Sequence, residues 1–498
     1  MAKAEVSAPP LGMSSIVNYG LGGAATGVGY AALSGTVLQY YLNQVIGLAP
    51  IVVGTTILIS LILDAVIDPL LGQWSDNFQS RLGRRHPFMY AAAVLASLSF
   101  YELWHAPAGL AGSALLGFML MLVVAVRISV SLFDVPQNAL APELAPDYDK
   151  RTVLASFRFS FFVFGSAGML YALNAVFLHK YGMLSRTAYA QFGLVGAIII
   201  FTIMMTSALG TQNRVRYLHR PPRRRVTLGQ TLREIVATIG NPSLLALLAS
   251  GVLGGAAAGM QTGLDFYFYP HLWGLVPAQL ALLLPAASLA SVVASLIAPA
   301  LSRRLGKKRT MISLFSASTV FSLSPMTLKL LGLMPPTGSP WIFIILISVA
   351  VVASILGIMG FIIITSMVAD VVEDTAVRTG VRSEGLLFAT NGLVPKFTTG
   401  IGAFFAGVLL TAVRFPAHAV QGTVPAETMR HLAMLYLPTY ASLVVASIVV
   451  LAFYRIDRTT HQRNLELLKE MESLGMTSEP TDEAPRPPAS AAISGQAV

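Results

Sequence analysis

The sequence predicts an all-α membrane protein with twelve spanning helices in two sets of six. Three observations predict it. Hydrophobic residues make up 55% of the 498 residues, charged residues only 11%, and the mean hydropathy is +0.68. A water-soluble domain carries roughly 25% charged residues, so the apolar surplus faces lipid. Apolar runs near the roughly 20 residues a helix needs to cross a bilayer recur twelve times. A basic hexapeptide occurs twice, at the same place in each set of six. Continuous runs exclude an outer-membrane barrel, whose strands alternate with period two.

The runs fall at 16–46, 51–75, 87–105, 110–140, 155–179 and 188–210, then at 242–271, 277–301, 310–333, 341–369, 385–413 and 430–454. Residues 1–15 hold no separate apolar core with a cleavage site, so the first run is expected to serve as the insertion signal. The loop after the second run holds Arg81, Arg84 and Arg85, and the one after the fourth holds Lys150 and Arg151. The central segment, 211–240, is rich in arginine, and the loop after the eighth run holds Arg303, Arg304, Lys307, Lys308 and Arg309. Loops after odd runs are nearly bare of charge, Lys180 and Arg186 being the main exceptions. Cytoplasmic loops carry the excess of Lys and Arg. Even loops and both termini are therefore expected in the cytoplasm, with the chain in the inner membrane.

The repeat is Ser80-Arg-Leu-Gly-Arg-Arg85 after the second run and Arg303-Arg-Leu-Gly-Lys-Lys308 after the eighth. It divides the chain into a cytoplasmic N-terminus (1–15), an N-terminal bundle (16–210), a basic linker (211–240) and a C-terminal bundle (241–455). Parallel repeats of this kind place a substrate site between the halves near the membrane midplane. Residues 456–475 space Leu467, Leu468, Met471 and Leu474 as one face of a helix, lying on the membrane or on the bundle. Residues 476–498, rich in Pro, Ala and Ser, are expected to be disordered.

Composition also removes function classes. There are no cysteines, which excludes disulfides, thiolate metal sites and cysteine nucleophiles. The net charge of +10 sits in short loops, so it reads as topogenic rather than as a nucleic-acid surface. No metal cluster and no Ser/His/Asp set stands out among eight histidines, so an enzyme is not expected, nor any cofactor beyond a coupling ion. The short polar tail also argues against a sensor or scaffold.

Charge inside a span costs several kcal/mol and marks pathways or paired sites. Asp64 and Asp68 lie four apart on one face of the second span. Their mutual repulsion is relieved by a shared proton or by a cation such as Na⁺; the alternative is that Asp68 braces the helix end through the loop arginines. Arg127, Ser131, Asp134 and Asn138, at intervals of 4, 3 and 4, form a polar stripe down the fourth span. That stripe either lines a cavity or holds an internal Arg127–Asp134 pair, with Arg127 also able to snorkel. Arg158 in the fifth span and Lys396 in the eleventh need carboxylate partners or a polar substrate. Asp265 stands among aromatics, with Gln261 one turn below, which suits a sugar or an interfacial aromatic belt. Glu102 is expected to be solvated.

Three motifs carry a family resemblance. The first is Asp64-Ala-Val-Ile-Asp68-Pro-Leu-Leu-Gly72 with Asp76 and Leu82-Gly-Arg-Arg-His-Pro87. The second is Asp134-Val-Pro-Gln-Asn-Ala-Leu-Ala-Pro-Glu143-Leu, then Asp147-Tyr-Asp-Lys-Arg151-Thr and Arg158. The third is Ser366-Met-Val-Ala-Asp370, Arg378-Thr-Gly, Glu384-Gly385 and Lys396. Together, over roughly residues 10–460, the chain resembles the glycoside–pentoside–hexuronide:cation symporters of the major facilitator superfamily, the group containing melibiose permease. The resemblance implies the major facilitator fold, a monomer, and cation-coupled symport of a sugar or glycoside by alternating access. It implies a site for H⁺ or Na⁺ at Asp64, Asp68 and Ser131. It implies a sugar site, linked to that cation, at Asp134, Arg158 and Lys396. It also implies cytoplasmic gating ion pairs among Asp76, Arg84, Arg85, Glu143, Asp147, Arg151, Asp370, Arg378 and Glu384.

The chain departs from melibiose permease at several points. Ile67 replaces an asparagine between the two aspartates, which removes an oxygen ligand and favours H⁺ over Na⁺. The first span, Tyr19-Gly-Leu-Gly-Gly-Ala-Ala-Thr-Gly27, lacks the family's usual acidic sugar ligand. Asn138 aligns with a galactoside-stacking tryptophan, and Gly392 with a threonine. Melibiose is therefore not the expected substrate. A lysophospholipid-transporting branch on the same fold, which also lacks the sugar residues, is the rival expectation.

Overall fold

The computed structural model describes residues 11–107, 109–145, 148–215, 242–379, 384–456 and 458–473. Among them the chain is helical, with no strand. The first helix, α1, runs Met13–Ala32, halts, and resumes as Gly35–Tyr40 and a π turn, Tyr41–Val45. Five more complete the N-terminal half: α2 Pro50–Asn77, α3 His86–Trp104, α4 Gly112–Leu144, α5 Tyr148–Ala172 and α6 Arg186–Gln212. A π segment, Leu173–Leu178, and a final turn, His179–Tyr181, extend α5. The C-terminal half holds α7 Pro242–His271, α8 Pro277–Leu305, α9 Lys307–Leu330, α10 Pro340–Thr379, α11 Glu384–Ala412 and α12 Ala426–Leu451. Eight of the described helices are long and apolar enough to cross a membrane on length and composition alone, and the others pack among them.

Three boundaries differ from the apolar runs. The run 16–46 is one stretch in sequence but a broken helix in the structure, because Ser34 turns extended at ψ 152. The break frees the Leu33 carbonyl, and a backbone carbonyl unpaired in lipid costs several kcal/mol. Arg127 answers it, donating from Nη2 to Leu33 O at 3.4 Å. Helices α4 and α5 also run past their apolar stretches, into polar ends that hold Glu143 and Lys150. The linker residues 216–241 and the tail 476–498 lie outside the described residues.

Packing repeats between the halves. Helix α1 lies along α5 as α7 lies along α11, and α2 touches α11 across the interface as α8 touches α5. The first contact needs glycine: a Cβ added at Gly23 would sit 2.2 Å from the Arg158 carbonyl oxygen, and one at Gly165 would sit 2.3 Å from that of Ala24. Small residues at such positions let helices associate in lipid, where no hydrophobic force drives them together. The tail helix α13, Arg458–Ser473, lies on the bundle rather than free of it. It packs on α10, with Leu468 buried and Asn464 Nδ2 donating to Asp374 Oδ1 at 3.2 Å. Leu474 lies outside the described residues.

The ends of the bundle differ. Hereafter the basic end is the one bearing the Arg-rich loops, and the opposite one is the far end. At the far end, amides and a tyrosine bridge the halves. Gln44 Nε2 donates to Pro416 O at 3.1 Å, and Gln44 Oε1 accepts from Ala419 N at 2.8 Å. His418 Nδ1 lies 2.7 Å from Gln44 O, and Tyr267 Oη donates to Asn43 Oδ1 at 2.9 Å.

Candidate functional site: a charge cluster between the halves

Asp64 lies near the middle of α2 and is 1% exposed. Its Oδ1 accepts from Ser131 Oγ of α4 at 2.8 Å. Its Oδ2 is 2.7 Å from Lys396 Nζ, which comes from α11 in the other half. Lys396 also binds Asp68 Oδ2. The spacing of four puts both carboxylates on one face of α2, and that face meets α11. One ammonium therefore clamps two repelling carboxylates. Asp68 Oδ1 is buried without a hydrogen-bond partner. Ile67 packs into the apolar core instead of facing the pair.

The fourth-span stripe divides between two clusters. Arg127 is buried, donating from Nε to Ser60 Oγ at 2.9 Å and closing the α1 break. It neither snorkels nor pairs with Asp134. Seven residues make two turns, about 10 Å of rise, which separates the two heads. Asp134 instead pairs with Arg158 of α5 and accepts from Asn138 Nδ2 at 3.1 Å. Tyr30 stands within electrostatic reach of Asp134, Asp64, Asp68 and Arg127, and so joins the clusters.

Gln137 was not singled out in the sequence. Its Nε2 donates to Tyr19 O at 2.8 Å, and its Oε1 faces Arg158 Nε at 3.5 Å. It needs the missing side chain of Gly22, where a Cβ would lie 1.7 Å from Nε2. An uncharged amide next to Asn138, opposite the glycine-rich stretch of α1, was the available signal.

Asp265 lies apart in α7, partly buried, its carboxylate accepting from the Tyr269 hydroxyl. Gln261 is one turn away and also partly buried. Neither has a described contact with the charge cluster. Glu102 is exposed.

The residues grouped as gates form one staple in each half. Glu143 binds Arg84, and also Arg85 at 2.9 Å, which in turn reaches Asp76 at 3.1 Å. Burial lowers the Arg85 guanidinium below its ordinary value, against the pull of Glu143 and Asp76. In the other half Lys307 binds Asp370 at 2.6 Å. Arg84 and Lys307 hold the same position in the repeated hexapeptide, so the staple itself is repeated. Arg151 is exposed at the basic end of α5. Asp147 and the side chains of Arg378 and Glu384 lie outside the described residues.

Two six-helix halves meeting at a buried charge cluster define a polytopic membrane transporter rather than an enzyme. The profile of the MFS/sugar transport protein family matches residues 18–458, and the chain belongs to that family. The isoprimeverose transporter of Lactiplantibacillus pentosus is 23% identical over 446 residues, covering 89% of this chain and 88% of that one. A chain of Escherichia coli (strain K12) whose name proposes a glycoside/cation symporter, YagG, is 24% identical over 482 residues, covering 93% and 97%. Among solved structures, the nucleoside transporter NupG superposes with a TM-score of 0.61 at 12% identity, over 89% of this chain and 100% of that one. The E. coli xylose transporter XylE superposes with a TM-score of 0.58 at 14% identity, over 90% and 98%. These likenesses establish the major facilitator fold.

Proposed function

We propose that the protein couples a cation gradient to the movement of a sugar or glycoside by alternating access between its two halves. The observation that carries this is the Lys396 clamp. A lysine of one half satisfies two aspartates of the other, at the depth where such repeats place their site. A cation arriving at Asp64 and Asp68 competes with Lys396 for the same oxygens. Binding of the ion is thereby tied to the contact between the halves. Asp64, Asp68 and Ser131 are the ion's seat, and Asp134, Asn138 and Arg158, with Lys396, face the solute.

H⁺ is the favoured ion. The orphaned Asp68 Oδ1 is suited to a proton, and Ile67 contributes no oxygen to Na⁺. The names of the relatives favour a saccharide over a lysophospholipid. The excess of Lys and Arg at the basic end supports its placement in the cytoplasm of the inner membrane, with both termini there. The protein is proposed to act as a monomer.

The test is uptake into proteoliposomes under an imposed H⁺ or Na⁺ gradient, across neutral glycosides, pentosides, hexuronides and lysophosphatidylcholine. Gradient-driven accumulation of a saccharide by wild type, lost in Asp68→Asn with the protein still folded, is the expected result. Accumulation by Asp68→Asn, or movement of the lysolipid alone, refutes the assignment.

A further inference from the structure

The basic hexapeptide occurs twice, but the two copies are not equally neutralised. In the first, Arg84 and Arg85 are held by Glu143 and Asp76, and Arg81 is left over. In the second, Lys307 is held by Asp370, and Lys308 donates to the carbonyls of Ala452 and Tyr454. Three further cations stand there. Arg303, Arg304 and Arg309 are exposed, and none pairs with a carboxylate among the described residues. Arg303 Nε donates to Pro299 O of its own helix at 3.3 Å.

Two of the three have no counterpart in the first copy. In register, Ser80 stands where Arg303 does, and His86 where Arg309 does. His86 is buried, with its Nε2 3.0 Å from Thr211 Oγ1. Orienting the chain asks the same of both loops. It accounts for the cations they share and not for the two added. The fold does not gain from the second of these. Arg309 lies in the first turn of α9, which holds no acidic residue, and there the helix dipole disfavours a cation.

Helix α8 leans on α10 through Ala294 and Ala298, both buried. Leu296 and Ile297 are turned away, 74% and 44% exposed. Arg303 and Arg304 follow them by seven residues each, about two turns along the same face and about 10 Å of rise. An amphiphile lying on that face rests its chains on Leu296 and Ile297 and its head on the arginines.

We propose that this loop is a docking site for an anionic phospholipid, whose phosphodiester headgroup is held by Arg303, Arg304 and Arg309 and whose acyl chains lie along α8. A guanidinium matches phosphate with paired N–H donors. Each basic side chain beside an anionic membrane surface adds about 5-fold to the attraction, reduced by salt. The proposal goes beyond the transport reading and depends on neither the solute nor the coupling ion.

The test is native mass spectrometry of the full-length protein in detergent, with equal amounts of phosphatidylglycerol and phosphatidylethanolamine bearing the same acyl chains. Wild type is expected to retain phosphatidylglycerol at least about 10-fold more, two or three arginines at the gain given above. The triple variant Arg303→Gln, Arg304→Gln, Arg309→Gln is expected to lose that preference. The corresponding triple exchange to lysine is expected to keep it within about 3-fold, because it keeps the charge. Arg81→Gln, Lys150→Gln, Arg463→Gln removes as much charge from exposed positions at the same end and is expected to keep it too. Excess glycerol 3-phosphate, which has no chains to lay on α8, is expected not to displace the lipid. Equal retention of both lipids by wild type overturns the proposal, whatever the variants do. Equal losses in the two glutamine triples overturn it as well, since diffuse charge would then suffice. Displacement by glycerol 3-phosphate also overturns it, making the loop a site for soluble anions.

Discussion

Replacing Gln44 with alanine is expected to open the far end. The side chain is fully buried and makes two hydrogen bonds to the other half, to Pro416 O and from Ala419 N. A hydrogen bond contributes about 0.5–1.5 kcal/mol net, and a buried donor left unpaired costs about 1–3 kcal/mol. Losing both contacts therefore weakens the far-end seal by about 1–3 kcal/mol, or roughly 5–150-fold in the equilibrium between sealed and open states. The chain has no cysteine, so spin labels at Gly109→Cys and Leu333→Cys would be the only two. Both sites face solvent at the far end, one in each half. Electron–electron distance measurements should show the longer separation gaining population in Gln44→Ala. The control is Gln421→Ala, which removes a far-end bond to Leu275 O within one half and should leave the distribution unchanged. An unaltered distribution in Gln44→Ala, or an equal shift in Gln421→Ala, would refute the assignment of this contact as the seal.

Further substitutions probe other contacts. Lys396→Met leaves buried Asp64 and half-buried Asp68 without the ammonium they share. It should destabilise the protein by about 3–5 kcal/mol in thermal unfolding followed by tryptophan fluorescence, and adding Asp64→Asn should recover part of the loss. Gly23→Val places a side chain against the Arg158 carbonyl, a backbone atom that cannot swing aside. Overpacking of this kind costs about 1–3 kcal/mol, visible as a lower melting temperature and poorer monodispersity, whereas Gly117→Ala, facing open space, should change neither. Glu143→Gln removes the shared partner of Arg84 and Arg85. It should alter the exchange rate between states while moving ligand affinity less than about 3-fold, because the staple lies within one half and away from the cluster. A large affinity change would place Glu143 in the binding site.

The span pattern was legible because each run must be apolar over its length, and the repeat was legible because the hexapeptide is copied nearly intact. The break in α1 was not. Ser34 and Gly35 are unexceptional inside an apolar run, and what stabilises the break is an arginine from α4. The far-end seal was missed for a related reason. Attention to charge passes over Asn43 and Gln44, yet uncharged amides bridge the halves there. Asp64, Asp68, Asp134, Arg158 and Lys396 were all visible as intramembrane charges, but their pairing was not. Lys396 meets Asp68 across 328 positions, and no local spacing encodes that. Where spacing did suggest a pair, Arg127 with Asp134, the rise of the helix separates the two.

The two fasteners between the halves lie at different depths on one seam, and this orders the cycle. From the clamp to the far end, α2 and α11 touch closely. A Cβ at Gly54 would lie 2.7 Å from Ala403 O, and one at Gly407 would lie 2.5 Å from Pro50 O. Packing this close resists sliding and favours rotation of one half on the other. The clamp lies on one side of these glycine contacts and the seal on the other. Releasing Lys396 alone leaves the glycine contacts and the Gln44 seal in place. On the proposed reading, an ion that displaces Lys396 loosens the midplane while the far-end contacts still hold the halves together. Two fasteners on one seam, released separately, are what the proposed coupling of ion to solute requires: breaking the clamp alone does not open a path through the far end.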